Sequence, residues 1–220
     1  MNSDNILADT QNNMEKYSRD YLKNAIDNFL YVKQFGQLDN ILEIGTFEGQ
    51  STCWLLRNLL TDTGSLTCVD PFPDQQIRDP SEPFASRQIN PFKNISYSIE
   101  NKVLDRFNSN ISQVKKPQQN VNLFQEVSYT ALSKLIADKK HFGFIYVDGC
   151  HWAQSALTDA CMCFGLLEPN GFMLFDDYLL QNRPNVYHRS KVAVDAFVNI
   201  FQPDLEIHKL GPQVLIKKKA

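Results

Sequence analysis

Five short apolar runs, most of them halted by a glycine or an acid, alternate along this chain with stretches whose apolar side chains recur at helical spacing. The first run is Asn40-Ile-Leu-Glu-Ile-Gly45, followed by Ser51 to Leu60, whose leucines and Trp54 suit a helix packed on a sheet, closed by Thr63-Gly64. Leu66-Thr-Cys-Val-Asp70 is the second and Val121 to Gln125 the third, the latter followed by a helix with Tyr129, Leu132, Leu135 and Ile136 on one side. Phe142 to Asp148 is the fourth, with Ala153, Ala156, Leu157, Ala160, Cys161 and Phe164 at i, i+3, i+4 spacing behind it. Pro169-Asn170-Gly171 then turns into the fifth, Phe172 to Asp176. Strand alternating with helix predicts an α/β fold, a doubly wound and mostly parallel sheet covered on both faces.

The flanks add three expectations. Apolar residues from Met14 to Phe35, ending at Gly36, predict an amphipathic leading helix within a helical segment 1–38. A last helix through Ala193, Phe197 and Phe201 precedes Leu205 to Lys209 and Gln213 to Lys217, two runs around Gly211-Pro212 that predict a hairpin supplying an antiparallel strand at one sheet edge. Residues 71–120 break the rhythm, being polar and rich in proline with one helix expected from Glu100 to Phe107. A connection of that length, leaving the carboxyl end of the second strand, predicts a flap over the ligand crevice.

At 220 residues the chain suits one domain, 1–220, and 43% hydrophobic with 21% charged residues excludes a disordered class. A net charge of -3, with Lys217 to Lys219 as the single basic run, argues against a nucleic-acid partner. No secretory pattern and no membrane-length apolar run are present, so a cytoplasmic protein without membrane association is expected. The five cysteines lack zinc-site pairing, and their odd number argues against a closed disulfide framework. Oligomeric state is left open.

Glu43-Ile-Gly45-Thr46-Phe-Glu48-Gly49 sets two glycines at the turn between the first strand and its helix, where glycine admits a ligand close to the backbone and the helix start offers N–H groups. Asp70 lies about 20 residues further on, at the end of the next strand, the placement from which a carboxylate accepts hydrogen bonds from ribose hydroxyls. The pair predicts an adenosine site. Dinucleotide sites use a different glycine spacing, and Glu48 in the loop would repel a pyrophosphate, so a nicotinamide cofactor is disfavoured.

Ile41-Leu-Glu-Ile-Gly-Thr-Phe-Glu-Gly-Gln-Ser51 resembles the first motif of the class I S-adenosylmethionine-dependent methyltransferases, which have a Rossmann-like fold. More narrowly it is similar to the catechol O-methyltransferase-like enzymes and the bacterial sugar and macrolide O-methyltransferases, over about residues 40 to 200. The resemblance implies that Glu43, Gly45, Thr46, Gly49 and Ser51 line the methionine end of the cofactor, with Ser51 on its carboxylate. It implies that Asp70 holds the ribose, that Ser128 lies by the adenine ring, and that Asp148 borders the cofactor.

Asp148 ends the fourth run and Asp176-Asp177 the fifth, so in a parallel sheet three carboxylates converge beside the crevice. Like charges so close favour a shared proton or an intervening cation, and hard oxygen donors select Mg²⁺ or a similar ion. Successive strand residues face opposite ways, so Asp176 and Asp177 share one ion only where the chain is already turning. The bland alternative is a helix cap and a solvated aspartate. Val147-Asp-Gly-Cys-His151 and Phe175-Asp-Asp-Tyr178 resemble the metal-ligand motifs of the sugar O-methyltransferases, which implies Asp148, Asp176 and Asp177 as ligands. His151 is a candidate base for the acceptor hydroxyl, alongside Asp148 as a catalytic group; a helix-start role for His151 is the alternative. The catechol enzymes place a lysine after their Asp-His-Trp run, and Asp148-Gly-Cys-His-Trp-Ala-Gln154 has none. His188 and Arg189 are candidates for substrate contact or for a solvated loop.

The expected activity is methyl transfer from S-adenosylmethionine to a hydroxyl of a small molecule, a sugar or other natural product, assisted by a divalent cation. The alternatives are a metal-independent methyltransferase and a noncatalytic module that binds the adenosyl group.

Overall fold

The computed structural model describes residues 15–18, 20–72, 102–179 and 185–220. Seven strands form one sheet: β1 (Leu38–Ile44), β2 (Leu60–Val69), β3 (Asn120–Phe124), β4 (Phe142–Val147), β5 (Leu167–Phe175), β6 (Leu205–Leu210) and β7 (Val214–Lys218). Their order is β3-β2-β1-β4-β5-β7-β6. Pairings from β3 to β5 are parallel, and β7 runs antiparallel to both β5 and β6. This is a mostly parallel Rossmann-like sheet; the predicted hairpin contributes two strands, with its second strand inserted against β5.

Among the described residues six α-helices accompany the sheet: α1 (Ile26–Lys33), α2 (Gln50–Asn58), α3 (Val103–Val114), α4 (Ser128–Ala137), α5 (Ala153–Leu166) and α6 (Ser190–Phe201). Strand period sorts the core in two. Ile41, Leu66, Phe144 and Tyr146 pack with Phe29, Trp54 and Phe107 of α1, α2 and α3. Leu42, Ile44, Ile145 and Met173 face the other way, against Leu132, Cys163 and Phe197 of α4, α5 and α6. All six residues of β4 are buried, as a central parallel strand covered on both faces requires. No helix of the described residues is long and apolar enough to cross a membrane.

Several boundaries differ from the sequence reading, each for a local reason. Residues 15–18 are not helical: the Lys16 N–H is taken by Asn110 Oδ1 at 3.0 Å and the Ser18 N–H by Glu48 Oε2 at 2.6 Å, so tertiary acceptors replace the helical ones. A 3₁₀ turn at Leu22–Asn24 then leads into the short α1. Thr63-Gly64 does not close a helix, because α2 ends at Asn58 and both residues lie inside β2. The register jumps from Leu38↔Leu60 to Asn40↔Ser65 and absorbs the extra residues as a bulge. Pro169-Asn170-Gly171 behaves likewise within β5, with Asn170 at φ +64°. The insert's helix, α3, runs on to Val114 and packs on α2 through the buried Phe107 and Ile111. The flap expected between it and β2 lies largely outside the described residues.

Candidate active site

The carboxyl ends of β2, β1, β4 and β5 lie side by side, and the residues singled out from sequence sit on them. Gly45, at φ +84°, donates its N–H to the Val69 carbonyl at 2.8 Å. A Cβ placed there would lie 2.0 Å from the Asp148 carbonyl oxygen, so only glycine lets the end of β4 cross the turn. Gly49, at φ +80°, caps α2. Phe47, between them, is also left-handed at φ +47°.

Asp70 closes on this turn. One carboxyl oxygen accepts the N–H groups of Thr46 and Phe47 at 2.9 and 2.8 Å, and the other accepts that of Phe72 at 2.8 Å. Burial pushes its pKa up against the pull of those three N–H groups. Glu43 is fully buried, and burial raises its pKa to about 7 although the hydroxyls of Ser51 and Thr52 both donate to it. Ser51 is therefore turned inward to Glu43 here. Ser128 opens α4, beside the buried Asp159 of α5. Glu48 is turned into the protein: it is 2% exposed and its carboxylate lies 2.8 Å from the Arg106 guanidinium. Its charge is thus offset, and the case against a pyrophosphate rests on the glycine spacing rather than on Glu48.

At the neighbouring strand ends, Asp148, His151 and Asp177 bring three ligand atoms within 4.8 Å of one another. His151 Nε2 lies 2.8 Å from Asp177 Oδ2, and Asp177 adopts φ +54°, which supplies the turn that aims it away from Asp176. Asp176 is not in that group. Its Oδ2 accepts the Tyr146 hydroxyl at 2.5 Å, and its Oδ1 accepts from Gln213 Nε2 at 2.8 Å and from the Asp177 N–H at 2.7 Å. The Tyr146 hydroxyl also lies 3.2 Å from Asp148 Oδ2. Burial and then the charges of Asp176 and Asp177 hold Asp148 well above the usual carboxylate range. A cavity of about 20 Å³, room for one water or ion, is lined by Asp148, His151, Asp176 and Ser190. His188 stacks on Trp152 with ring centroids 4.2 Å apart, at the rim of this group.

Tyr146, Gln213 and Asn28, whose amide donates to Gln213 at 2.5 Å, escaped the sequence reading. Tyr146 carried a signal, standing two residues before Asp148 on the same face of a strand; Gln213 and Asn28, 185 residues apart, carried none.

A family model described as a methyltransferase domain matches residues 42–178, more than half the chain, and the chain belongs to that family. No curated protein sequence matches it. An O-methyltransferase from Bacillus cereus, solved in complex with S-adenosylhomocysteine, has a similar fold at 17% identity and a TM-score of 0.61, covering 98% of this chain and 88% of that one. TomG, an O-methyltransferase of tomaymycin synthesis from Streptomyces achromogenes solved with S-adenosylmethionine, follows at 16% identity and 0.59, covering 86% and 77%. MycE, a methyltransferase of the mycinamycin pathway solved with Mg, S-adenosylhomocysteine and mycinamycin VI, gives 11% and 0.54, covering 93% of this chain and 51% of its own. Likeness at these identities establishes the fold, and the acceptor has to be argued from the site.

Proposed function

We propose that this methyltransferase-family chain transfers a methyl group from S-adenosylmethionine to a hydroxyl of a small molecule, a sugar or other natural product, at a site that also takes a divalent cation. The observation that carries the reading is adjacency: β1 lies between β2 and β4, so the Gly45 turn with Asp70 and the Asp148, His151, Asp177 group occupy neighbouring strand ends. The residues fit both groups. Left-handed Gly45, Phe47 and Gly49 leave a turn without Cβ bulk at its two glycines, and the Asp148 and Asp177 carboxylates, with His151 close by, are hard oxygen donors that suit a divalent ion.

When bound, the cofactor supplies a sulfonium methyl and the ion a Lewis acid that lowers the acceptor hydroxyl's pKa. Gly45, Thr46, Gly49, Ser51 and Glu43 would hold the methionine end, Asp70 the ribose and Ser128 the adenine side. Asp148 and Asp177 would be the principal donors to the ion. Asp176, engaged by Tyr146 and Gln213, sits behind them and fixes the Tyr146 hydroxyl against Asp148. Asp177 orients His151 at 2.8 Å and would stabilise the imidazolium formed when His151 takes the hydroxyl proton. MycE, solved with Mg and mycinamycin VI, supports the cation and a natural-product acceptor by analogy.

The His151 to Asp177 contact also favours a second reading, a metal-independent transferase in which that dyad alone removes the proton. One experiment separates the readings: calorimetric titration with S-adenosylhomocysteine on wild type and Asp70→Ala, with and without Mg²⁺, followed by methyl transfer to a panel of hydroxylated acceptors with and without a chelator. Binding that Asp70→Ala weakens by about 100-fold, and turnover that the chelator abolishes, are expected. Turnover surviving the chelator selects the dyad; binding without turnover selects a noncatalytic module; unchanged affinity in Asp70→Ala removes the ribose assignment.

A further inference from the structure

Glu48, between the two turn glycines, has no part in the methyl transfer described above, yet both of its carboxyl oxygens are held. Everything that holds it comes from distant sequence. The Ser18 N–H donates to its Oε2 at 2.6 Å, and Arg106 of α3 lies 2.8 Å from its Oε1. Its carbonyl accepts from Asn110 Nδ2 at 2.9 Å. Asn110, 2% exposed, also accepts from the Lys16 N–H at 3.0 Å and donates to the Lys16 carbonyl at 3.1 Å. Two residues beyond Glu48, Gln50 accepts the Tyr21 N–H at 2.7 Å, and the Tyr21 ring stands edge-on to Phe47 at 5.8 Å.

These contacts answer a local difficulty. Gly45, Phe47 and Gly49 all have positive φ within five residues, and Phe47 does so against its steric preference. Such a backbone persists only where its surroundings over-determine it. A buried carboxylate beside a guanidinium supplies that constraint, because moving Glu48 would strand a charge out of water.

We infer that Glu48 is a positioning residue for the cofactor turn, and that Arg106 and Asn110 clasp it to the N-terminal segment so that segment and turn stabilise each other. The inference rests on the adenosyl-binding reading. Coupling of this kind is reciprocal: if the clasped segment raises affinity for the adenosyl group, binding tightens the segment by the same factor.

The test uses the full chain and S-adenosylhomocysteine, with two readouts: calorimetric affinity, and hydrogen exchange at residues 15–18 with and without the nucleoside. Saturating nucleoside slows exchange at 15–18 in wild type. Arg106→Ala weakens binding by about 10-fold and loses that protection, and Arg106→Lys restores most of both. Lys116→Ala, which breaks only the exposed pair with Asp62, changes neither. A merely structural Arg106 would lower the melting temperature and leave affinity and nucleoside-dependent exchange as they were, which overturns the clasp. If Arg106→Ala does not fold, exchange in wild type and Arg106→Lys decides, absence of nucleoside-dependent protection being the refuting result. Wild type that does not bind the nucleoside at all overturns the adenosyl reading and the clasp with it, whereas binding without coupling overturns the clasp alone.

Discussion

The glycine turn and the carboxylate corner meet at the same strand ends, but they are held in opposite ways. In the turn each acid has donors: Asp70 takes three backbone N–H groups, Glu43 two hydroxyls, and Glu48 an N–H with a guanidinium alongside. In the corner Asp176 has donors too, the Tyr146 hydroxyl, Gln213 and the Asp177 N–H, but Asp148 faces other acids. Asp148 lies beside Asp176 and Asp177, and burial first and then their charges push its proton affinity up, with the Tyr146 hydroxyl as the bridge. The first arrangement spends its donors on shape; the second keeps negative charge concentrated at one point. A region of fixed shape suits recognition of a large ligand, and a region of concentrated charge suits a cation or a proton in transit.

The largest effect is expected where the two regions touch. Gly45→Ala drives a Cβ into the Asp148 carbonyl oxygen at 2.0 Å, a backbone atom that cannot swing aside, and does so at φ +84°. Overpacking and backbone strain add to more than about 3 kcal/mol. Thermal unfolding should show a deeply destabilised protein, and Gly211→Ala, with nothing within 4 Å, a nearly unchanged one. Equal melting temperatures would mean that the turn and the corner are not packed on each other. The next effect divides function from stability. Asp177→Asn removes one of the like charges and the carboxylate charge that would stabilise a His151 imidazolium, so methyl transfer should fall by about 10²–10⁴-fold while the melting temperature holds or rises. A parallel loss of stability would show that the corner, too, is built for shape.

How much of this was legible follows from the same physics. The parallel strands β1, β2, β4 and β5 are buried on both faces, so they read as continuous apolar runs, and the acids that end them mark the ligand side. Gly45, Asp70, Asp148 and Asp177 stand out on that basis, and the fold sets them at adjoining strand ends. Features set by long-range partners left no periodic trace. Residues 15–18 read as helix because Tyr17 and Tyr21 fall at helical spacing, but Asn110 and Glu48 take their N–H groups. Thr63-Gly64 and Pro169 to Gly171 have turn chemistry and became bulges, because the ladder resumes on either side. Asp176 looked equivalent to Asp177 until the left-handed backbone at Asp177 sent the two carboxylates to different partners.

The last expected effect depends on pH and probes a residue beneath the carboxylate corner. Asp159 of α5 is 1% exposed, lies beside Ser128 at the start of α4, and has one oxygen 3.5 Å from where a Cβ on Gly149 would stand, next to Asp148. Neither carboxyl oxygen has a hydrogen-bond partner of full geometry, and burial pushes the pKa up to about 7, against the pull of the Ser128 hydroxyl. A carboxyl whose folded pKa is raised binds more protons in the native state than in the unfolded chain. Its contribution is therefore most favourable below about pH 4, declines as pH rises, and levels off above about pH 7. Asp159→Asn keeps the shape without the charge. The two proteins should melt alike near pH 4, with the variant gaining on wild type up to pH 7 and leading by roughly 2–4 kcal/mol above it. Thermal unfolding across that range measures the gap. A constant gap would mean that Asp159 stays ionised and that the helix beneath the corner, like the turn, supplies its acid with donors.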